Sequence, residues 1–259
     1  MTTTGAKPAG VTDEAQAARA VQQMFDSIAP RYDLLNHVLS ASVDRLWWWQ
    51  TARKFRAILV NPNAAVLDVC CGTGHMTRAL LKGRPRGSRP IFAADFAREM
   101  LSRGARRFAP RSAGSPAAVA LEADALHLPL KAASLDLIVT AFGFRNLANY
   151  EAGLHEFARV LKPGGQLGIL DFGEPGGLMG KVYGVYFRRV LPTIGRMISG
   201  PAPAGGVGPY SYLPASVAKF PLPAEMLDLM RASGYTDCAW QPYTFGIAGL
   251  YTGVRSKVG

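Results

Sequence analysis

The residues best suited to chemistry form a glycine-rich segment directly after an apolar stretch, Val66-Leu67-Asp68-Val69-Cys70-Cys71-Gly72-Thr73-Gly74. Glycines at these positions let a strand turn sharply into a helix, so that the backbone can approach a ligand closely. The exposed N–H groups of the helix start then favour an anionic group. By itself the motif is weak, because it fits any nucleotide-binding fold and also a tight turn without a ligand.

Two further acids strengthen the prediction of a ligand site. Asp95 lies at the end of the next predicted strand, where its carboxylate can accept hydrogen bonds from a ribose diol. Asp124 follows the third predicted strand. The carboxyl ends of parallel strands meet at one edge of a sheet, and such folds bind ligands there. Each aspartate alone could cap a helix, but with Asp68 the three together predict a site.

The ligand that best fits this motif is S-adenosylmethionine. Thr77 stands where a dinucleotide-binding motif has its third glycine, which disfavours a pyrophosphate. The same turn suits the methionine carboxylate and the ribose of S-adenosylmethionine, whose sulfonium needs no phosphate cradle.

Other candidates for acid, base or metal chemistry are few. The four histidines share no metal-ligand spacing, and the three cysteines form neither a zinc motif nor a disulfide framework. We therefore expect no metal and a reducing cytoplasm. His37, His127 and His155 are interpreted as structural, and His127, three residues after Asp124, is also a candidate base.

The hydrophobic pattern predicts the scaffold that positions these residues. Apolar stretches alternate with helix-forming ones, and this spacing implies an α/β fold, a mostly parallel sheet with helices on both faces. The last two strands are expected to form an antiparallel pair. The predicted strands cover residues 64–69, 90–94, 117–121, 135–141, 166–172, 235–241 and 246–254.

The predicted helices cover residues 12–25, 44–59, 75–81, 98–108, 150–161 and 224–233, with a turn at 162–165 and Gly234 as the cap of the last helix. Three consecutive tryptophans at 47–49 cannot share one side of a helix, so at least one must meet another element, the solvent or a ligand. We expect a single domain over residues 1–259. A helical lid at about 12–60 and an amphipathic insertion at about 176–216 would be attached to it.

Composition predicts a globular protein with a large core. Hydrophobic residues make up 49% and charged residues 18%, which excludes a disordered tail protein, a collagen-like repeat and a coiled coil. The net charge of +11 is partly concentrated in residues 84–111, which show no interleaved aromatics of the kind that stack on bases and no recognisable nucleic-acid module. We expect no nucleic-acid partner there; a solvated basic surface and attraction to an anionic membrane both stay open. No apolar stretch approaches the roughly 20 residues that span a bilayer, so we expect a soluble protein.

Longer segments resemble the ubiquinone and menaquinone C-methyltransferase family. Residues 25–37 (FDSIAPRYDLLNH) and 142–147 (FGFRNL) are specific to that family, whereas 159–165 (RVLKPGG) occurs widely among class I methyltransferases. The resemblance runs from about residue 21 to residue 255. It implies a class I, Rossmann-like fold with a seven-stranded sheet, and methyl transfer from S-adenosylmethionine to a ring carbon of a polyprenylated quinol. That quinol is demethylmenaquinol or its counterpart in ubiquinone biosynthesis.

Motif and resemblance together assign the cofactor contacts to Tyr32, Asp68, Gly72, Thr73, Gly74, Asp95, Phe96, Asp124, Ala125 and Ala141. The two glycines would shape the turn, and since the family often has Ser where Ala141 stands, backbone contact alone is expected there. Catalysis is expected from Arg145, whose guanidinium can stabilise a developing phenolate. Its alternative is a surface or carboxylate-paired arginine. Tyr32, in the lid, would hold the methionine carboxylate or orient a water.

Several alternatives stay open at this point. The stretch 178–198 mixes aromatic and basic residues, which suits a channel for an isoprenoid tail at the inner face of a membrane, or equally core or dimer packing. Peripheral membrane contact and a homo-oligomer are therefore both open. So are methyl transfer to another phenolic or lipid acceptor and a non-catalytic S-adenosylmethionine-binding role in a quinone-biosynthesis complex. The residues do not choose between naphthoquinol and benzoquinol.

Overall fold

The computed structural model describes residues 43–110, 112–173 and 216–257, together with the single positions 5, 16, 19, 21, 22 and 175. Its seven strands form one sheet in the order β3-β2-β1-β4-β5-β7-β6. Strand β7 is antiparallel to both of its neighbours, and the other pairs are parallel. The strands are β1 (Val66–Val69), β2 (Ile91–Asp95), β3 (Ala118–Glu122), β4 (Leu135–Ala141), β5 (Leu161–Phe172), β6 (Tyr235–Tyr243) and β7 (Ala248–Arg255). The predicted α/β architecture with its closing antiparallel pair is confirmed.

Helices cover both faces of the sheet, because neighbouring strand residues point to opposite sides. They are α1 (Asp44–Lys54), α2 (Arg56–Leu59), α3 (His75–Lys82), α4 (Arg98–Phe108), α5 (Tyr150–Val160) and α6 (Pro223–Ala232). On β1, Val66 joins a core cluster with Trp47 of α1 and Leu80 of α3. The next residue, Leu67, joins a cluster with Phe157 of α5 on the other face. The expected helices on both faces are confirmed.

Two predicted boundaries were wrong. The helix expected over 44–59 is broken at Phe55, which has φ −96° and ψ 16° and whose side chain is buried in the core. Strand β5 begins at Leu161, so the turn expected at 162–165 lies inside the strand. Leu161 pairs with Leu135 and Gln166 with Leu137, and the intervening residues bulge out.

Parts of the predicted lid and insertion lie outside the described residues. Within the helix predicted over 12–25, positions 16, 19, 21 and 22 are described and all four are helical. Residues 23–42 and 176–215 are not described, so the lid, the insertion and the single-domain organisation stay predictions. Among the described residues, no helix combines the length and apolar character needed to cross a bilayer.

Candidate functional site

A crevice at the carboxyl edge of the sheet brings the predicted cofactor residues together. It encloses about 1020 Å³, part of it open to solvent, above the ends of β1, β2 and β4. Strand order explains the position, because β2 and β4 flank β1 on either side and all three run parallel. The predicted residues that line the crevice are Asp68, Gly72, Thr73, Asp95, Phe96, Asp124, Ala125 and Ala141.

The turn after β1 depends on left-handed backbone at Cys70 (φ 56°), Gly72 (φ 53°) and Gly74 (φ 79°). Gly72 has open space where a Cβ would stand, so a ligand can approach its backbone. Gly74 is different, because a Cβ there would lie 1.9 Å from the ring of Phe108. Gly74 therefore shapes the turn by letting α4 pack against it, and it is not among the described residues that line the crevice.

Asp95 joins this turn to the end of β2. Its Oδ2 accepts a hydrogen bond from the N–H of Gly72 (2.7 Å), and its Oδ1 accepts one from the N–H of Ala97 (2.9 Å). The residue is 6% exposed. Each carboxylate oxygen can accept a second hydrogen bond, so Asp95 can organise the turn and still accept a ligand hydroxyl.

Asp68 is an acid of the site with a strongly raised pKa. It is fully buried on β1, and its Oδ2 accepts a hydrogen bond from Thr77 Oγ1 of α3 (2.5 Å). Its Oδ1 is buried and has no hydrogen-bond partner within the described chain. Burial raises the pKa of Asp68 to about 7; the charge of Asp95 adds to the rise, and the hydrogen bond from Thr77 opposes it. A buried acid of this kind suits a cationic ligand group.

Asp124 lies at the rim of the crevice, with its side chain 49% exposed. Its Oδ1 accepts the N–H of Leu126 (2.9 Å), which fixes the loop after β3. The candidate base His127 places its Nδ1 3.5 Å from Asp124 Oδ2, but its side chain is 84% exposed and is not among the described residues lining the crevice. Its location gives no support to its role as the base.

The adjacent thiols of Cys70 and Cys71 also line the crevice. Burial raises the pKa of both thiols well above the usual value, and the negative charges of Asp95 and Asp68 raise it further. Both residues are free cysteines. They are therefore held in the protonated, weakly nucleophilic form.

The ends of β1 and β4 touch at the floor of the crevice. Phe142, directly after β4, has left-handed backbone (φ 59°) and donates its N–H to the carbonyl of Leu170 on β5 (2.7 Å). At the next residue, Gly143, a Cβ would lie 2.3 Å from the Cβ of Cys70. Strained backbone of this kind is typical of binding and catalytic sites.

Arg145 lies behind this floor. It is not one of the described residues that line the crevice. It is 4% exposed, and its Nη1 lies 2.8 Å from Oδ1 of the fully buried Asp171. Its guanidinium also donates to the carbonyl of Phe142 and lies 5.2 Å from the centroid of the Phe172 ring. Of the two interpretations of Arg145, these contacts match the carboxylate-paired one.

An aromatic wall beside the crevice was not predicted. Trp47 packs against Phe142 and Phe172, with ring centroids 5.8 and 6.3 Å apart, and Trp48 stacks on His75 at 4.7 Å. Trp48 and His75 both line the crevice. The tryptophan run was the signal in the sequence, but nothing in it indicated which aromatic or imidazole partner each tryptophan meets.

The predicted lid has one described contact at the site. Gln22 donates from Nε2 to the carbonyl oxygen of Phe96 at 2.7 Å, which places this part of the N-terminal segment beside the crevice. Tyr32 lies outside the described residues, so its two proposed roles stay predictions.

The charge of the crevice limits its ligands. Its described lining contains the three carboxylates of Asp68, Asp95 and Asp124 and neither lysine nor arginine. Apolar side chains complete it, including Met100 and Leu126, which we had not predicted. Such a site favours a cation with hydroxyl groups and an apolar ring, and it disfavours a pyrophosphate.

The chain is similar to known proteins over nearly its whole length. The model of the ubiE/COQ5 methyltransferase family matches residues 11–255. The demethylmenaquinone methyltransferase of Deinococcus radiodurans is 43% identical over 259 residues, covering 98% of this chain and 99% of that protein. The demethylmenaquinone methyltransferase of Thermus thermophilus is 42% identical over 233 residues, covering 90% of this chain and 100% of that protein.

A solved structure shares the fold at low sequence identity. A SAM-dependent methyltransferase of Thermotoga maritima, described as a possible histamine N-methyltransferase, superposes with a TM-score of 0.58 at 17% identity. The match covers 90% of this chain and 99% of that one. At this identity the likeness concerns the fold, and it agrees with the predicted class I methyltransferase architecture.

Proposed function

The chain belongs to the ubiE/COQ5 methyltransferase family, and we propose that it transfers a methyl group from S-adenosylmethionine to a ring carbon of demethylmenaquinol. The names of the two relatives support the naphthoquinol over the benzoquinol as acceptor. The observation that carries the proposal is the crevice with three carboxylates and, in its described lining, neither lysine nor arginine.

The residues present fit this cofactor. The buried Oδ1 of Asp68, which lacks a hydrogen-bond partner in the described chain, suits the cofactor's ammonium group. Asp95 and Asp124 present carboxylate oxygens to the crevice, and a carboxylate can accept hydrogen bonds from ribose hydroxyls. Phe96, Met100 and Leu126 offer apolar surface for the adenine ring. Gly72 leaves room for close backbone approach.

We propose the same set for binding as the sequence predicts, with one role added, that of Asp95 in organising the turn. Thr73, Ala125 and Ala141 would contact the cofactor from the crevice wall. Gly74 would act through the shape of the turn, and Asp95 would organise the turn as well as bind. When bound, S-adenosylmethionine supplies an electrophilic methyl group on its sulfonium.

The chain contributes alignment and exclusion of water. A quinol carbon becomes nucleophilic when its neighbouring hydroxyl loses a proton, and that carbon must be held in line with the methyl group. Orientation can lower a barrier by about 7 to 11 kcal/mol in well-aligned systems, while a placed base typically adds about 100- to 10,000-fold. Phe142 lines the crevice, with the rings of Trp47 and Phe172 packed against it, and offers an apolar surface for an aromatic ring.

Arg145 acts in this proposal as a positioning residue. Its pairing with Asp171 and its bond to the Phe142 carbonyl hold the turn at 143–146, from which Gly143 and Asn146 line the crevice. Direct stabilisation of the phenolate by Arg145, and the roles of Tyr32, stay predictions. Both predicted roles of Tyr32 need its hydroxyl, so the substitution Tyr32→Phe tests them.

The raised thiol pKa values have a consequence for selectivity. A thiolate beside a sulfonium would compete with the quinol as methyl acceptor. Because burial and the carboxylates raise the pKa of Cys70 and Cys71, the crevice keeps both as poorly nucleophilic thiols. The methyl group is thereby reserved for the acceptor.

A methyl-transfer assay tests the proposal. Purified protein is incubated with S-adenosylmethionine carrying a labelled methyl group and with either demethylmenaquinol, a demethylated benzoquinol or a simple phenol. We expect label in menaquinol and less in the other two. Label only in the phenol would support methyl transfer to another acceptor. Cofactor binding without label in any product would support the non-catalytic alternative.

Two partner predictions stay untested. Membrane contact through residues 178–198 and self-association of the chain both depend on residues outside the described ranges, so we leave them as predictions.

A further inference from the structure

A basic groove runs between α1 and α3 on the surface next to the crevice. Its basic residues are Arg45 and Arg53 of α1, Arg56 of α2, and Arg78 and Lys82 of α3. We call these residues, with Trp49, the α1–α3 groove. The proposed reaction does not use it, and the predicted membrane segment at 178–198 is a separate part of the chain.

The groove has an unbalanced charge. Its five basic side chains are exposed, and its described lining contains no carboxylate. Within the described ranges none of the five forms an ion pair. Three arginines on other helices are paired with an acid of their own helix: Arg103 with Glu99, Arg159 with Glu156 and Arg231 with Asp228. Within the described chain the positive charge of the groove is therefore not neutralised by a carboxylate, and such charge attracts an anionic partner.

An exposed aromatic side chain accompanies this charge. Trp49, which lines the groove, is 53% exposed and is one of the most exposed large hydrophobic residues of the described chain. The guanidinium of Arg53 lies 5.2 Å from the centroid of the Trp49 ring. Exposed tryptophan beside arginine is the combination that settles at the boundary between lipid headgroups and acyl chains.

The groove adjoins the crevice directly. Trp48 and His75, stacked 4.7 Å apart, line both of them. Docking of the groove on a bilayer would therefore place the opening of the crevice close to the lipid layer in which a polyprenylated acceptor is dissolved.

We propose that the α1–α3 groove docks the protein on anionic phospholipid headgroups. That the acceptor is lipid-soluble rests on the proposed function. That the partner is an anionic lipid surface rests on the charge and the exposed aromatic side chain of the groove. A nucleic acid is the other polyanion that such charge could attract, but the exposed ring of Trp49 in the groove favours a lipid surface, which offers an apolar layer, over the phosphate backbone of a duplex. Each basic residue near an anionic surface adds to binding, and salt weakens it.

Vesicle co-sedimentation tests this surface. The full chain is mixed with phosphatidylcholine vesicles that contain about a third phosphatidylglycerol, with pure phosphatidylcholine vesicles, and with duplex DNA of mixed sequence. We expect binding to the anionic vesicles that high salt reverses, and little binding to the neutral ones. The double variant Arg53→Glu, Arg56→Glu should lower the partition coefficient at least about tenfold.

A matched control carries the same change in net charge. Lys131 and Lys257 are exposed and lie before β4 and after β7, at the sheet edge opposite the crevice. The variant Lys131→Glu, Lys257→Glu should bind vesicles like the wild type. Equal losses of vesicle binding in the two double variants would show that net charge alone determines binding, and would overturn the groove as the docking surface. Wild-type binding to DNA but not to anionic vesicles would overturn the lipid partner.

Methyl transfer to a short-chain, water-soluble acceptor separates this proposal from the proposed function. The groove variant should keep that activity and its thermal unfolding temperature, because Arg53 and Arg56 are exposed and outside the crevice lining. If the wild type binds vesicles but does not transfer the methyl group, the docking surface is supported and the proposed reaction is overturned. If it transfers the methyl group but does not bind vesicles, the proposed reaction is supported and the docking surface is overturned.

Discussion

Arg145 and Asp171 form an ion pair beneath the crevice, with Nη1 2.8 Å from Oδ1 and side chains that are 5% and 0% exposed. The other carboxylate oxygen accepts the backbone N–H of Arg145 at 3.1 Å. Tyr150 of α5 adds a hydrogen bond from its hydroxyl to the carbonyl of Arg145 at 3.0 Å. The pair therefore ties the turn after β4 to β5 through both main chain and side chain.

Breaking this pair should destabilise the protein strongly. Asp171→Asn removes one charge and leaves the buried guanidinium without its carboxylate, a change that typically costs about 3 to 5 kcal/mol. Urea unfolding followed by circular dichroism measures the loss. The double variant Arg145→Met, Asp171→Leu removes both charges and should recover most of the stability. If Asp171→Asn were as stable as the wild type, the structural role of the ion pair would be contradicted.

The same double variant separates the two roles of Arg145. If Arg145 positions the turn, cofactor affinity and the rate of methyl transfer should fall together, because Gly143 and Asn146 line the crevice. Unchanged cofactor affinity with a lost rate would instead support direct contact between Arg145 and the acceptor. Binding is measured by calorimetry and the rate with labelled cofactor.

Asp68 should make cofactor binding dependent on pH. Its pKa of about 7 means that it is largely protonated below neutrality, and an ammonium group binds the ionised form better. Affinity should therefore rise as the pH passes through about 7. Thr77→Val removes the hydrogen bond that lowers this pKa, so it should move the rise to higher pH. Asp68→Asn should bind weakly at every pH, whereas Asp228→Asn, on exposed α6 surface, should behave like the wild type.

The same acid should also lower stability as pH rises. The pKa of Asp68 is raised in the folded protein from 3.8 to about 7, so the folded state binds the proton more tightly than the unfolded state. The resulting stabilisation is complete below the unfolded pKa and is lost as pH rises through the folded one. The unfolding free energy of Asp68→Asn minus that of the wild type should increase across this interval. A flat difference would show that Asp68 is not perturbed.

The close approach of the ends of β1 and β4 predicts that a second substitution at Cys70 restores the stability lost by a substitution at Gly143. Gly143→Ala would place a Cβ 2.3 Å from the Cβ of Cys70, and overpacking of this kind typically costs about 1 to 3 kcal/mol. Cofactor affinity should fall as well, since both residues line the crevice. Adding Cys70→Gly removes the clashing atom and the left-handed strain at φ 56°. The double variant should regain stability in thermal unfolding; equal losses in both variants would argue against this contact.

Glycine should relieve the backbone strain of the turn before β7. Thr244 (φ 45°), Phe245 (φ 58°) and Gly246 (φ 91°) are left-handed in succession, and Phe245 is 77% exposed. Left-handed backbone costs a non-glycine residue about 1 to 2 kcal/mol, and glycine's extra chain entropy offsets part of the gain. Phe245→Gly should thus be more stable than Phe245→Ala by up to about 1 kcal/mol. Equal unfolding temperatures for the two variants would contradict the strain.

Local sequence patterns predict most of the scaffold because they report the elements themselves. Helix α4 over Arg98–Phe108 and strand β4 over Leu135–Ala141 match the predicted bounds. Each carries a clear pattern, an amphipathic one in α4 and a continuous apolar one in β4. The break at Phe55 and the bulge in β5 depend on core packing and on pairing with Leu135. Neither is visible in a local pattern.

The site divides in the same way. Acids at successive strand ends meet at one edge because parallel order requires it, so Asp68, Asp95 and Asp124 could be placed from the sequence. Partners from distant segments could not. Asp171 is 26 residues from Arg145 in sequence, and their pairing follows from the adjacency of β4 and β5. The stack of Trp48 on His75 likewise needs α1 packed against α3.

The central claim is that this acidic crevice binds S-adenosylmethionine, and isothermal titration calorimetry tests it most directly. We expect the wild-type chain to bind S-adenosylmethionine and S-adenosylhomocysteine with one site per chain, and Asp68→Asn to bind both more weakly. NADH, which presents a pyrophosphate to the same carboxylates, should give no binding heat. Heat from NADH together with none from either sulfur ligand would contradict the account.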